Sequence, residues 1–140
     1  MAGYSGTPLP RKLGIKPGTS LALLDAPDDF AATLGELPED VRLVAPAPGG
    51  VDVAVYFTKE RVKLIQRMET LGRAIFPHGG LWVAWPKKAS RVPTDMSEDA
   101  VRETALPLGL VDNKVCAIDE VWSGLRVVWR RELRLAGAGD

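Results

Sequence analysis

Histidine and cysteine each occur once in this chain, and neither sign of charge is in surplus. Cys116 alone cannot form an internal disulfide, which fits a reducing compartment. His78 stands in a turn, Phe76-Pro77-His78-Gly79, with no second histidine or cysteine pair in the sequence to complete a zinc site. Eighteen basic residues balance eighteen acidic ones, so no global field draws the chain to nucleic acid or to an anionic membrane surface. The apolar runs fall far short of the ~20 residues that span a bilayer. The opening MAGYSGTPLPRKLGIKPG lacks the apolar core of a signal peptide. Glycine is absent from the place where a nucleotide or methyl-donor site needs it. The loop after the first apolar run reads LLDAPDDF, in which Pro27 removes an amide donor and three aspartates would repel a pyrophosphate. No P-loop of the G-x-x-x-x-G-K-S/T type occurs either. These absences predict a cytoplasmic protein with no bound cofactor, no metal, and neither nucleic acid nor membrane as partner.

What remains is ordinary in composition and ordered in pattern. A chain of 140 residues suits one domain that buries roughly two-thirds of its unfolded surface. Residues 1–18 are rich in glycine and proline and read as an N-terminal extension; Leu9, Leu13 and Ile15 are placed to cap a core edge, with room for one helical turn between prolines. Residues 19–131 form the single α/β domain, and 132–140 read as a flexible tail. Within the domain, Ser20–Leu24 is a short apolar run of the buried-strand type. A helix is expected from about Asp28 to Leu34, then a strand over Val41–Ala45. Val51–Phe57 is a β run rich in branched and aromatic residues. Thr58 offers an N-cap for the helix Lys59–Phe76, in which Leu64, Met68, Leu71 and Ile75 form one apolar stripe. Leu81–Trp85 is the next strand. A helix follows from about Glu98, with Asp95 or Ser97 as its cap, to near Leu106. Val115–Trp122 and Leu125–Arg131 then flank Ser123-Gly124, which reads as a two-residue hairpin turn.

The order β-α-β-β-α-β-α-β-β predicts a three-layer, Rossmann-like α/β sandwich. Its sheet is mostly parallel and closes with a C-terminal antiparallel β-hairpin. As a pattern of elements it resembles a shortened methyltransferase-type sheet, a likeness of fold only. Three strings, GYSGTPLPRKLGIKPG, GGLWVAWPKK and GLVDNKVCAIDEVWSGLRVVWRR, resemble those of an uncharacterised bacterial family, the domain-of-unknown-function family numbered 3052. The resemblance runs from about Gly3 to Arg131. It implies a single-domain bacterial protein, and it brings neither a substrate nor a catalytic residue.

Three groups of residues are candidates for function. Ligands of parallel sheets sit at the carboxyl ends of the strands. Lys59 follows one strand there; Lys87, Lys88 and Arg91 follow the next, and Asp25 follows the first. These five could hold a phosphate or carboxylate of a small molecule. On the expected hairpin, Val121 faces Arg126 and Asp119 faces Val128. Glu120 then lies among apolar side chains, where burial would raise its pKa, or else on an edge that its charge keeps from aggregating. Trp122 and Trp129 share a hairpin face in that register and would form an aromatic interface for a protein partner or a second copy if no helix covers them. Cys116 reads as an inert core thiol, and a Cys116–His78 dyad would require the fold to bring the two together. The leading expectation is a non-enzymatic interaction or regulatory protein. The alternative is a small-molecule binding protein or enzyme with an anionic ligand at the strand ends.

Overall fold

The computed structural model describes residues 6–138. Six strands form one sheet: β1 (Ser20–Leu24), β2 (Arg42–Leu43), β3 (Val53–Phe57), β4 (Gly80–Pro86), β5 (Leu110–Ala117) and β6 (Trp122–Trp129). Their spatial order is β2-β1-β3-β4-β6-β5. The first four strands run parallel, and β6 pairs antiparallel with both β4 and β5. The three-layer, mostly parallel Rossmann-like sandwich expected from the element order is the observed fold. Among the described residues, no helix is long and apolar enough to cross a membrane.

Both sheet faces are buried, which explains why β3 and β4 read as unbroken apolar runs. On one face, Leu64, Met68 and Leu71 of α3 (Arg61–Ile75) and Val101 and Ala105 of α4 (Glu98–Ala105) pack on Ala54, Tyr56, Leu81, Val83 and Trp85. Each fully buried aliphatic side chain of that stripe is worth about 1.5–3 kcal/mol. On the other face, Leu13 and Ile15 join Phe30 and Leu34 of α2 (Phe30–Leu34) over Val53, Val55 and Trp82. The N-terminal stretch is thus part of the core: one turn of helix, α1 (Leu9–Lys12), leads into Leu13, whose carbonyl accepts the Trp82 indole N–H at 2.9 Å. Trp82 and Trp85 face opposite layers, as their odd separation requires.

The caps differ from expectation in an instructive way. Ser97 caps α4, accepting from Ala100 N–H at 3.1 Å. Asp95, the other candidate, serves a different helix: its carboxylate accepts the Arg61 N–H at 2.8 Å and so caps α3 from a distant loop. Thr58 makes no bond to the first turn of α3; its hydroxyl accepts from Glu60 N–H, one residue before the helix.

The C-terminal pair departs most from the sequence reading. Ser123 and Gly124 lie inside β6, opposite Ala117 and Cys116. The turn is Ile118–Val121, set by Asp119, whose carboxylate accepts the N–H groups of Val121 (2.8 Å) and Trp122 (2.7 Å). This Asx-type turn outcompetes the Ser-Gly pair. Every expected cross-strand pair therefore shifts: Arg126 faces Lys114, not Val121, and Val128 faces Val111, not Asp119. Glu120 sits exposed in the turn, so the buried carboxyl is absent. Trp122 and Trp129 fall seven residues apart on one strand and hence on opposite faces. The expected flexible tail is also corrected: α5 (Arg131–Ala138) starts one residue before the stretch read as a tail and runs through most of it.

Candidate functional site

Strand order reverses between β1 and β3. The chain leaves β1 through α2 toward β2 on one side, returns to β3 on the other, and continues through α3 to β4. Crevices at such reversals, beside the carboxyl ends of the strands, are where open α/β sheets hold ligands. A cleft of about 540 Å³ lies at this point, lined by Asp25 and Pro27 after β1, Phe57 to Glu60 after β3, Lys63, Gln66 and Arg67 of α3, and Trp122.

Local backbone geometry builds each wall. Asp25 adopts a left-handed conformation, φ 55°, which turns the chain sharply at the end of β1. Thr58 N–H is tied to the Ala84 carbonyl at 3.0 Å, so β3 ends firmly beside β4. The Lys59 carbonyl accepts the Thr94 hydroxyl at 2.6 Å, and the residue itself is exposed. Lys63 and Arg67 are one helical turn apart on α3 and point the same way. Phe57 closes the apolar end, packed edge-on against Trp122 (centroids 5.1 Å) and Phe30 (4.8 Å).

Charge in the cleft is mixed. Glu60 pairs with Lys63 at 3.0 Å, and Asp25 approaches Arg67 at a loose 3.9 Å. Lys59 has no ion-pair partner among the described residues. Beneath them lies Tyr56, fully buried, with Arg67 5.6 Å above its ring. Its hydroxyl makes no hydrogen bond among the described residues. Burial holds its pKa above the ordinary phenol value.

Of the five sequence candidates, Asp25 and Lys59 line the cleft. Lys87, Lys88 and Arg91 belong to the same edge of the sheet but do not line it. Lys87 N–H binds the Val121 carbonyl at 2.8 Å, Lys88 opens a single 3₁₀ turn (Lys88–Ser90), and Arg91 is left-handed and exposed beyond it. Sequence reasoning missed Glu60, Lys63 and Arg67 as site residues. Their spacing, at the N-cap and on the first two turns of the helix after a strand end, was the available signal. Trp122 lines the cleft as an inner wall, not as an exposed interface. Trp129 is also packed: its indole N–H donates to Gly72 at 2.8 Å and its ring meets Phe76 edge-on at 5.3 Å. His78 and Cys116 lie toward opposite edges of the sheet, before β4 and late in β5, so they form no dyad. Burial pushes the Cys116 thiol pKa up, as expected of a core thiol.

Fold and cleft together define a Rossmann-like domain with a switch-point crevice. Solved structures of similar fold include methyltransferases. A SAM-dependent methyltransferase from Aquifex aeolicus superposes with TM-score 0.57 at 15% identity, covering 84% of this chain and 85% of that one. Magnesium protoporphyrin IX methyltransferase from Synechocystis with bound SAH gives 0.51 at 10% identity, covering 81% and 75%. A NADB-Rossmann superfamily protein from Streptococcus agalactiae gives 0.50 at 10%, covering 91% and 70%. At these identities the likeness is one of fold. Neither the protein-family models nor the curated proteins include a match to this chain.

The residues present do not fit a methyl donor or dinucleotide held in the usual way. The loop after β1 has no glycine, so side chains keep the backbone from a close approach. Pro27 contributes no amide donor, and Asp25, Asp28 and Asp29 crowd the loop with carboxylates.

Proposed function

We propose that this protein is a small-molecule binding domain whose ligand occupies the switch-point cleft. The observation that carries the reading is the position of Lys59, an unpaired cation at the strand-order reversal, with Lys63 and Arg67 beside it. The mixed charge narrows the ligand. Lys59 and Arg67 suit a carboxylate or phosphate oxygen, Asp25 and Glu60 suit hydroxyl or ammonium donors, and Trp122 offers an apolar wall. A compact polar molecule bearing an acidic group and hydrogen-bond donors satisfies all three. The expectation of an interaction protein rested on missing cofactor motifs, a scarcity of nucleophile–base pairs and an aromatic hairpin face; Trp122 and Trp129 pack on opposite faces, which removes the last of the three. Cytoplasmic residence and membership of the bacterial family numbered 3052 belong to the same proposal, supported by the single buried cysteine and by the three long strings between Gly3 and Arg131.

The test is retention. Purified wild type and the double variant Lys59→Glu/Lys63→Glu are incubated with a library of carboxylated and phosphorylated small molecules, washed, denatured, and the released compounds identified by mass spectrometry. Wild type is expected to enrich a small set that the variant loses. Equal retention by both, or none by wild type, would overturn the proposal.

A further inference from the structure

A second cavity lies away from the cleft and shares none of its residues. It sits where the N-terminal stretch crosses the sheet, holds about 180 Å³, and is lined by Lys12, Leu13, Gly14, Lys16, Trp82, Lys114 and Arg126. That volume equals about six waters of bulk liquid, room for one hydrated tetrahedral oxyanion. Four of its seven lining residues are cations and none is a carboxylate.

The fold builds this concentration deliberately from three directions. Trp82, Arg126 and Lys114 are direct cross-strand neighbours on β4, β6 and β5, so their side chains leave the same face. The Trp82 indole N–H holds the Leu13 carbonyl, which brings Lys12 and Lys16 over that row. Arg126 lies across the bare backbone of Gly80, where a Cβ would come within 2.6 Å of its Cζ. Gly80 thereby makes room for a guanidinium lying flat on the sheet.

Arg126 is half-buried, and Lys12 partly so. None of the four cations makes an ion pair or side-chain hydrogen bond among the described residues. Elsewhere in the protein, Arg61, Lys63, Arg73 and Arg102 each find a carboxylate within 3.1 Å. With acids and bases equal in number, four converging and unpartnered cations raise one another's electrostatic cost. Desolvation already lowers the Arg126 pKa, with no carboxylate nearby to offset it.

We propose that this cavity is a binding site for a phosphoryl-sized oxyanion, either inorganic phosphate or the terminal phosphoryl group of a small organophosphate. Arg126 supplies the forked donor and Lys12, Lys16 and Lys114 the surrounding charge.

Isothermal titration calorimetry at fixed ionic strength, with inorganic phosphate and glycerol phosphate as probes, tests this. Wild type is expected to bind saturably. Binding of phosphate alone identifies the free ion as the ligand, and binding of both identifies a terminal phosphoryl group. Arg126→Gln should weaken binding roughly tenfold to a hundredfold while unfolding no earlier than wild type. Lys16→Gln/Lys114→Gln, both at exposed positions, gives the same answer should Arg126→Gln fold poorly. Measured in a Lys59→Glu/Lys63→Glu background, where the cleft cannot contribute, binding should persist and still weaken with Arg126→Gln, so the cavity and the cleft stand or fall separately. Absence of saturable binding, or unchanged affinity in the Arg126 and Lys16/Lys114 variants, would overturn the proposal.

Discussion

On the parallel side of β4, the cleft between β1 and β3 sets three cations against two carboxylates, two of the cations already paired. On the antiparallel side, the cavity over β6 and β5 sets four cations against none. The first arrangement discriminates among polar ligands by hydrogen-bond pattern, since it offers one unpaired cation, Lys59, beside two pairs that a ligand must open or replace. The second offers little pattern and much field, which suits a compact, fully charged group. Net charge therefore says little about binding here: a neutral chain builds one site of mixed charge and one that is wholly basic.

The two halves meet along β4, and substitutions there and to either side show how far they are independent. Trp82→Ala removes a fully buried indole at the seam and the tether to Leu13. It should cost about 3–5 kcal/mol, read by urea unfolding, as one transition shifted for the whole sheet. A separate transition for the antiparallel pair would break the sheet into two units. Gly79→Ala acts on the parallel side: its Cβ would meet the Val51 carbonyl at 2.5 Å and the Asp52 and Ile75 carbonyls at 2.9 Å. The backbone must shift, at about 1–3 kcal/mol, and a thermal scan with no loss would show that the β3–β4 start is softer than described.

Trp129→Phe acts on the antiparallel side. It keeps the ring against Phe76 and deletes the indole bond to Gly72, a loss of about 1 kcal/mol. Chemical denaturation resolves it; a cost above that of Gly79→Ala would reverse the ranking of the halves. The smallest effect is Tyr56→Phe beneath the cleft, where removing an unpartnered hydroxyl should change stability by less than ~0.5 kcal/mol at neutral pH. Its pH signature is more telling. The folded pKa lies above the ordinary 10.0, so the folded protein keeps a proton that the unfolded chain releases. That contribution is whole below about pH 10 and declines as the pH rises toward the folded value. Tyr56→Phe should remove this part of the alkaline decline, and identical alkaline curves for both proteins would refute it.

The parallel half was legible because its signals agree. Continuous apolar strands, the Leu64–Met68–Leu71–Ile75 stripe and proline or glycine breaks all point one way. The antiparallel half was misread at one place. Ser123-Gly124 has hairpin chemistry, yet Asp119 binds two amides of its own turn, and β5 begins at Leu110 inside a polar stretch, LVDNKVCA, that lies at the sheet edge. A slip of that kind reassigns every side chain to a new neighbour, and so Arg126 beside Lys114 was invisible. The cleft was half legible. Strand ends located Asp25 and Lys59, while Lys87, Lys88 and Arg91 sit on the same edge but are carried away by the Val121 contact and the turn that follows.

Amide chemical-shift mapping of the isotope-labelled protein, titrated with the compounds retained in the mass-spectrometric screen, shows where the ligand sits. A ligand in the switch-point cleft gives saturable shifts clustered at Asp25–Asp29 and Phe57–Arg67, abolished by Lys59→Glu/Lys63→Glu. Shifts centred on any other surface, with the amides of the cleft unmoved, would contradict that placement.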